Sequence, residues 1–239
     1  MKNIFLITLF LISTILYSQK KEFVVTYSIK SNTIVSKNAL PKVKFTSKKI
    51  NEIFDETIFF LSCRNQKTLF AKQDNLDSDS KDLNYKVAMI VSQYDGEIFT
   101  DLDNNKKLSY ENLGGESFLV ENKINNLKWT LLSDEKVMLD KYRCFKATAS
   151  KKNSDGIDQE ITAWYCPELN VSSGPNGYSG LPGLILEVER NKVVYEAKCI
   201  EFKPVKEIII PIKKKSISSD NFQNLEKKFS EKVKKQYSN

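Results

Sequence analysis

Any chemistry done by this chain falls to carboxylates, thiols and hydroxyls, because its 239 residues include no histidine. That absence excludes Ser-His-Asp and Cys-His catalysis, His-ligated zinc and His-bound haem. Asp101, Asp103 and Asn105 occupy positions 1, 3 and 5 of an EF-hand-like loop. Position 6 of that loop needs glycine and holds Lys106, and position 12 needs a bidentate glutamate and holds Asn112. The span is therefore read as a plain hairpin loop. The acidic run Asp74, Asp77, Asp79 and Asp82 is spaced too loosely for calcium and is read as solvated. Two carboxylates can hydrolyse glycosides without histidine. Glu187 and Glu189, two residues apart on one strand, are instead expected to point to solvent. Ser172 and Ser173 stand in no Gly-x-Ser-x-Gly elbow. No cofactor and no metal site is expected.

The four cysteines are Cys63, Cys144, Cys166 and Cys199. Residues 142–150 and 160–166 flank a polar turn near Asp155, and a hairpin there sets Cys144 almost opposite Cys166. Facing residues of an antiparallel pair lie within disulfide reach, so a Cys144–Cys166 bridge is expected, with Cys63–Cys199 as a weaker second. The alternative is a set of buried free thiols.

The most distinctive stretch is 164–189, WYCPELNVSSGPNGYSGLPGLILEVE, which holds seven of the chain's 14 Gly and Pro residues. Leu181-Pro182-Gly183-Leu184 fits a type II turn, with Pro fixing φ and Gly allowing positive φ. Gly174-Pro175 makes another stiff turn, Gly180 adds freedom, and Trp164, Tyr165 and Tyr178 supply aromatic surface. A rigid loop of this kind is a candidate recognition surface. Its competing role is a structural corner that buries Leu181 and Leu184.

These residues need elements to position them. Residues 22–30 alternate as a half-buried strand, and 56–63 with 67–72 reads as a hairpin around Arg64-Asn65-Gln66. Strand-like runs follow at 86–92, 96–100, 106–110, 117–121, 127–133 and 135–139. After the 142–166 hairpin come 184–190 and 193–202, paired through Asn191-Lys192. Turn signals recur about every ten residues and no long amphipathic helix interrupts them, which predicts a mainly β, antiparallel domain over 19–212. Over 213–239 the pattern changes: Phe222, Leu225, Phe229 and Val233 form one stripe of a basic amphipathic helix, with Ser218, Ser219 and Asp220 as cap candidates. That helix either packs on the β domain or lies on an anionic membrane.

Residues 1–18 read as a signal peptide, with Lys2 followed by an apolar run from Ile4 to Leu16. Export to the periplasm or outer-membrane periphery is expected, with no transmembrane span in the mature chain. The net charge of +7 rests on 34 Lys and only Arg64, Arg143 and Arg190. Lysine is a hydrated point charge, without arginine's fork for phosphate and bases, so nucleic-acid binding is not expected.

Gly180 to Ile185 spell GLPGLI, and on this and other motifs the chain resembles the GLPGLI family of exported proteins of the Bacteroidetes. The resemblance extends to Lys128-Trp129 with Leu131, Tyr142-Arg143-Cys144 with Lys146-Ala147, Ala163-Trp164-Tyr165, Gly174-Pro175 and Tyr178. FLVENKI at 118–124 also belongs to it, and coverage runs from about 22 to 230. Cys166 stands where the family more often has Thr, so the resemblance does not imply the Cys144–Cys166 pair. The resemblance implies an exported β-rich protein and no assigned reaction. Family members are often encoded near TonB-dependent outer-membrane receptors, which makes such a receptor a candidate partner. The strand-rich pattern ending in a helix is also similar to the curved half-barrel of LolA-like carriers, a fold analogy only.

The expected function is a non-enzymatic binding or assembly accessory. It would present Trp164, Tyr165, Gly174, Pro175, Tyr178, Gly180, Leu181, Pro182, Gly183 and Leu184 to a partner. Two alternatives are a carrier of a lipid or other hydrophobic ligand in a concave sheet, and a carboxylate-dependent hydrolase.

Overall fold

The computed structural model describes residues 22–32, 41–73, 83–94, 96–124, 127–152, 156–209 and 216–237. Residues 1–18, read above as a signal peptide, the acidic run 74–82 and residues 153–155 lie outside them. In chain order the elements are β1 (Phe23–Ser31), α1 (Pro41–Glu56), β2 (Ile58–Arg64), β3 (Lys67–Lys72) and α2 (Leu83–Ser92). There follow β4 (Ile98–Asp101), β5 (Lys106–Leu113), β6 (Glu116–Lys123), β7 (Thr130–Met138), β8 (Tyr142–Lys152) and β9 (Asp158–Cys166). A 3-10 turn (Pro175–Gly177) leads to β10 (Leu184–Arg190), β11 (Val193–Phe202), β12 (Ile217–Ser218) and α3 (Ser219–Tyr237).

The described strands form one sheet in the order β12-β6-β5-β4-β3-β2-β1-β11-β10-β9-β8-β7. Its pairings are antiparallel except the short β12–β6 ladder, which is parallel. The mainly β, antiparallel class with a C-terminal helix holds, and the sheet is not closed. The tight hairpins follow from local chemistry. Asn65-Gln66 and Asn191-Lys192 both adopt positive φ, as a two-residue turn matched to strand twist requires. Leu139-Asp140 does the same between β7 and β8, and Leu139 is held there by packing on the core.

Three local expectations are corrected. Residues 86–92 are helical, not extended: α2 spans Leu83–Ser92 and buries Ala88 and Ser92 four residues apart. A short apolar run carries no periodicity that separates strand from helix, and packing decides. A longer helix also interrupts the strands, since α1 runs Pro41–Glu56 and seats Ile50, Ile53 and Phe54 on the core at i, i+3, i+4 spacing. Residues 127–139 hold a single strand, Thr130–Met138, whose register shifts between Leu131 and Glu135.

The main core occupies one face of the sheet. Phe59 stacks on Phe70 with centroids 5.2 Å apart, and Tyr94 and Tyr195 meet both rings edge-on. Tyr27, fully buried, donates its hydroxyl to the Ile185 carbonyl at 2.7 Å, which ties β1 to the start of β10. Tyr27→Phe strands that carbonyl in the core and is expected to lower stability by about 1–2 kcal/mol. Urea unfolding checks this, and an unchanged midpoint would refute it. A second, smaller core of Phe99, Leu108, Leu119, Val205 and Ile208 lies under the segment after β11. Ser218 caps α3 by accepting the Asn221 N–H at 3.3 Å. Phe222 of α3 is buried edge-to-face against Phe118 of β6 at 5.7 Å, and Phe229 lies against Gly114. Phe222 at the start of the α3 stripe therefore packs on the sheet, while Leu225 and Phe229 remain exposed. No described helix is long and apolar enough to cross a membrane.

Candidate functional site

The Gly/Pro-rich segment between β9 and β10 is packed into the fold. Leu181, Leu184, Gly174, Pro175 and Gly183 are buried, as is Tyr165, while Gly180 and Pro182 are exposed and Tyr178 is half-buried. The turn is not type II. Gly183 N–H bonds the Leu181 carbonyl at 2.8 Å, closing a three-residue turn over Pro182. Leu184 N–H bonds Leu169 instead of Leu181, at 2.9 Å. Gly183 sits at φ +148°, and a Cβ there would lie 2.2 Å from the Cys166 carbonyl oxygen. Trp164 and Tyr165 are neighbours on β9, so they face opposite sides of the sheet. Tyr165 is in the core, and Trp164 carries the Lys136 ammonium 4.4 Å above its ring, with Lys136 paired to Glu187 at 2.8 Å.

The loop is pinned from several elements. Ser173 shares a hydrogen bond with Thr68 of β3 at 3.0 Å, Asn176 donates to the Gln93 carbonyl at 3.0 Å, and Trp129 donates to the Ser179 carbonyl at 2.9 Å. Gly177 presses so closely on Ile98 of β4 that a Cβ would sit 3.0 Å from its Cγ2.

All four cysteines are free thiols, which corrects the expected disulfides. The β8–β9 register, Phe145 opposite Tyr165, does set Cys144 opposite Cys166. The two buried thiols are neighbours without a covalent bond, and Cys144 Sγ donates to the Tyr142 carbonyl at 3.6 Å. The neighbouring Cys144 thiol, then the Leu169 and Glu168 backbone amides, lower the Cys166 thiol against the opposing effect of burial. The same proximity raises Cys144. Cys63 and Cys199 cannot pair. Cys63 aligns with Phe23 on one side of β1, Cys199 with Thr26 on the other, and Cys63 is buried while Cys199 is exposed.

The 101–105 loop joins β4 to β5 as a plain hairpin. Asp101 accepts from the Asn104 backbone and side-chain amides at 3.1 and 2.9 Å, an Asx turn that uses both carboxylate oxygens. Among the described residues no group of three acidic or thiol side chains could hold a metal ion.

A cleft of about 1000 Å³ lies beyond the loop. Lys107, Ser109 and Glu111 of β5 and Val120 and Asn122 of β6 line one wall. Ser150, Lys151, Lys152 and Gln159 of β8 and β9 line the other. These strands lie near opposite ends of the sheet order, so the sheet bends far enough for its two ends to face a common space. The loop supplies Asn176, Gly177, Tyr178 and Ser179, and α3 supplies Phe222, Gln223 and Glu226. Arg190 lines the cleft at the end of β10 and also borders a cavity of about 10 Å³ beside Tyr195, at most the room of one water.

Strand alternation explains how polar groups reach this place. Ala147 and Ala149 of β8 are buried, and Lys151 continues their column. Leu186 and Val188 of β10 are buried, and Arg190 continues theirs. The inward face is apolar along the core and turns cationic where it meets the cleft. Sequence reading noted Glu187 and Glu189 on β10 and missed Arg190. Its signal was parity: Arg190 shares the face of Val188, while Glu187 faces Lys136 on the far side.

Residues 154–187 match a known family. Its description is Protein of unknown function (Porph_ging), and the match overlaps the stretch that carries the GLPGLI resemblance. No curated protein matches this chain. Two crystal forms of PNGF-II are similar in fold, with TM-scores of 0.53 and 0.52 and identities of 14% and 16%. The alignments cover 86% of this chain and 33% and 32% of theirs. The chain thus spans about a third of the length of those solved structures, and at this identity the likeness concerns the fold alone.

Proposed function

We propose that this is an exported, GLPGLI-type binding protein without catalytic activity, which holds a small ligand in the cleft between the two ends of its bent sheet. The observation that carries this reading is the cleft itself. It has the volume of a small-molecule site, and its polar groups converge from elements far apart in the chain. The expected role of the Gly174–Leu184 loop changes accordingly. With only Gly180 and Pro182 of its eight candidate residues exposed, the segment works as a plug that holds the cleft floor, not as a surface offered to a partner. Ile98, Val120, Leu127 and Phe222 also line the cleft, so an apolar part of a ligand has a place to rest, and a wholly polar ligand is not required.

The test is native mass spectrometry of the protein purified from its own host's envelope. A bound mass of a few hundred daltons is expected. Asn122→Trp, at a half-buried strand position on the cleft wall, should abolish that mass while leaving the fold, since strands accept aromatics. A bare chain, or a bound mass that survives Asn122→Trp, would overturn the reading.

A further inference from the structure

Three cations on three strands line the same cleft. Lys107 comes from β5, Lys151 from β8 and Arg190 from β10. None of them takes part in the ion pairs found among the described residues. Arg190 Nε is buried with no hydrogen-bond acceptor, and an unmet buried donor on a charged group is costly enough to need an explanation. Lys107 is held below the ordinary lysine value by burial and then by Lys151, and Lys151 by loss of solvent and then by Arg190. Each cation therefore feels the next. Glu111 is the carboxylate that opposes both lysine shifts, and one carboxylate does not balance three cations. Across the whole lining, Lys107, Lys123, Lys151, Lys152 and Arg190 face only Glu111 and Glu226. Lys107 and Arg190 are half-buried and Lys151 is exposed at the rim, so three distant strands bring one cluster of cations to the end of the core.

We propose that Arg190, Lys151 and Lys107 form an anion site that holds a phosphate group, either free or as the monoester end of the cleft ligand. This rests on the cleft being the ligand site. A doubly charged oxyanion offsets the cluster where a single carboxylate leaves it in excess, and it supplies the acceptors that the Arg190 guanidinium lacks. The Tyr178 side chain and the Asn176 amide border the same space and can complete the oxygen shell.

The experiment is thermal unfolding of the full mature chain with inorganic phosphate, against sodium chloride and acetate at equal ionic strength. Phosphate at a hundredfold excess over its Kd should raise Tm by about 5 °C or more. Arg190→Gln should weaken binding by about tenfold or more. Lys107→Met gives a signature that a merely structural lysine would not. Without phosphate its Tm should rise, because a crowded, poorly solvated charge is removed, and the phosphate response should shrink. This variant keeps the test decisive if Arg190→Gln folds poorly. Glycerol phosphate separates the two sources. Tighter binding than inorganic phosphate supports the monoester, and equal binding supports the free ion. A phosphate response no larger than that of chloride, or one that both variants leave intact, overturns the site. If phosphate fails while the co-purified mass is still lost in Asn122→Trp, the anion site falls and the cleft reading stands.

Discussion

Gly183→Ala will unfold this chain under conditions that Pro182→Ala survives. The two residues are adjacent in the GLPGLI segment, yet Pro182 is exposed and Gly183 is buried against backbone. A Cβ on residue 183 would lie 2.2 Å from the Cys166 carbonyl oxygen, 2.6 Å from its carbon and 2.8 Å from Pro167 Cα. None of these is a side-chain end that can swing away. Moving them breaks the pairing of Cys166 with Leu184, where β9 meets β10. The φ of +148° adds strain for any L side chain. A loss of about 4 kcal/mol or more is expected, against a typical total stability of ~5–15 kcal/mol. In a chain of this length that lowers Tm by roughly 10 °C or more. Pro182→Ala should stay within about 1 kcal/mol. Urea unfolding followed by tryptophan fluorescence measures both, and Trp129, bonded to the Ser179 carbonyl, reports on the loop directly. Equal midpoints for the two variants would show that the close approach does not govern this corner.

Raising the pH should unfold the protein between roughly pH 10 and 12, more steeply than an ordinary surface-titrating domain. Burial raises both Tyr27 and Tyr195 well above the usual tyrosine value. Each donates its hydroxyl to a carbonyl, Tyr27 to Ile185 and Tyr195 to Ser92, and a phenolate cannot donate. Burial, with Glu22 beside it, pushes Cys63 up to about 12. The sign follows from proton counting. Above the unfolded values of about 8.5 for Cys and 10 for Tyr, the unfolded chain has released protons that the folded chain still holds, so stability falls as pH rises. Lys107 and Lys151, held below the lysine range, act in the opposite direction only until about pH 10.4. Beyond that, Tyr27, Tyr195 and Cys63 each remove about 1.4 kcal/mol per pH unit, ~4 together, and Cys144 and Tyr178, also raised, add in the same direction. Tyr195→Phe should cut the slope by about 1.4 kcal/mol per unit. Stability from urea titrations at stepped pH tests this, and a slope unchanged by Tyr195→Phe would sink it.

Much of the β architecture was legible because short strands in this chain carry their own punctuation. Asn65-Gln66 and Asn191-Lys192 turn where the sequence says they turn, and the alternation in β1 matches its alternating burial. The hairpin that sets Cys144 opposite Cys166 was legible for the same reason, since register follows from the turn. The thiol chemistry was not, because facing cysteines are as compatible with two free thiols as with a bridge. Residues 86–92 misled because KVAMIVS is apolar nearly throughout, and only the packing of Ala88 and Ser92 selects the helix.

The sequence alone determined that histidine chemistry is impossible, that the domain is antiparallel β with a C-terminal helix, and that 164–189 is its most distinctive segment. Composition, period and turn chemistry are local properties, and they survive in a string of letters. Tertiary structure decided the rest. It turned the GLPGLI segment inward because Leu181, Leu184 and Ile185 fill the core. It also brought Lys107, Lys151 and Arg190, residues up to 83 positions apart in the numbering, to one cleft. That meeting depends on how far a long sheet bends, which is the sum of many small strand twists. No short window of the sequence contains it.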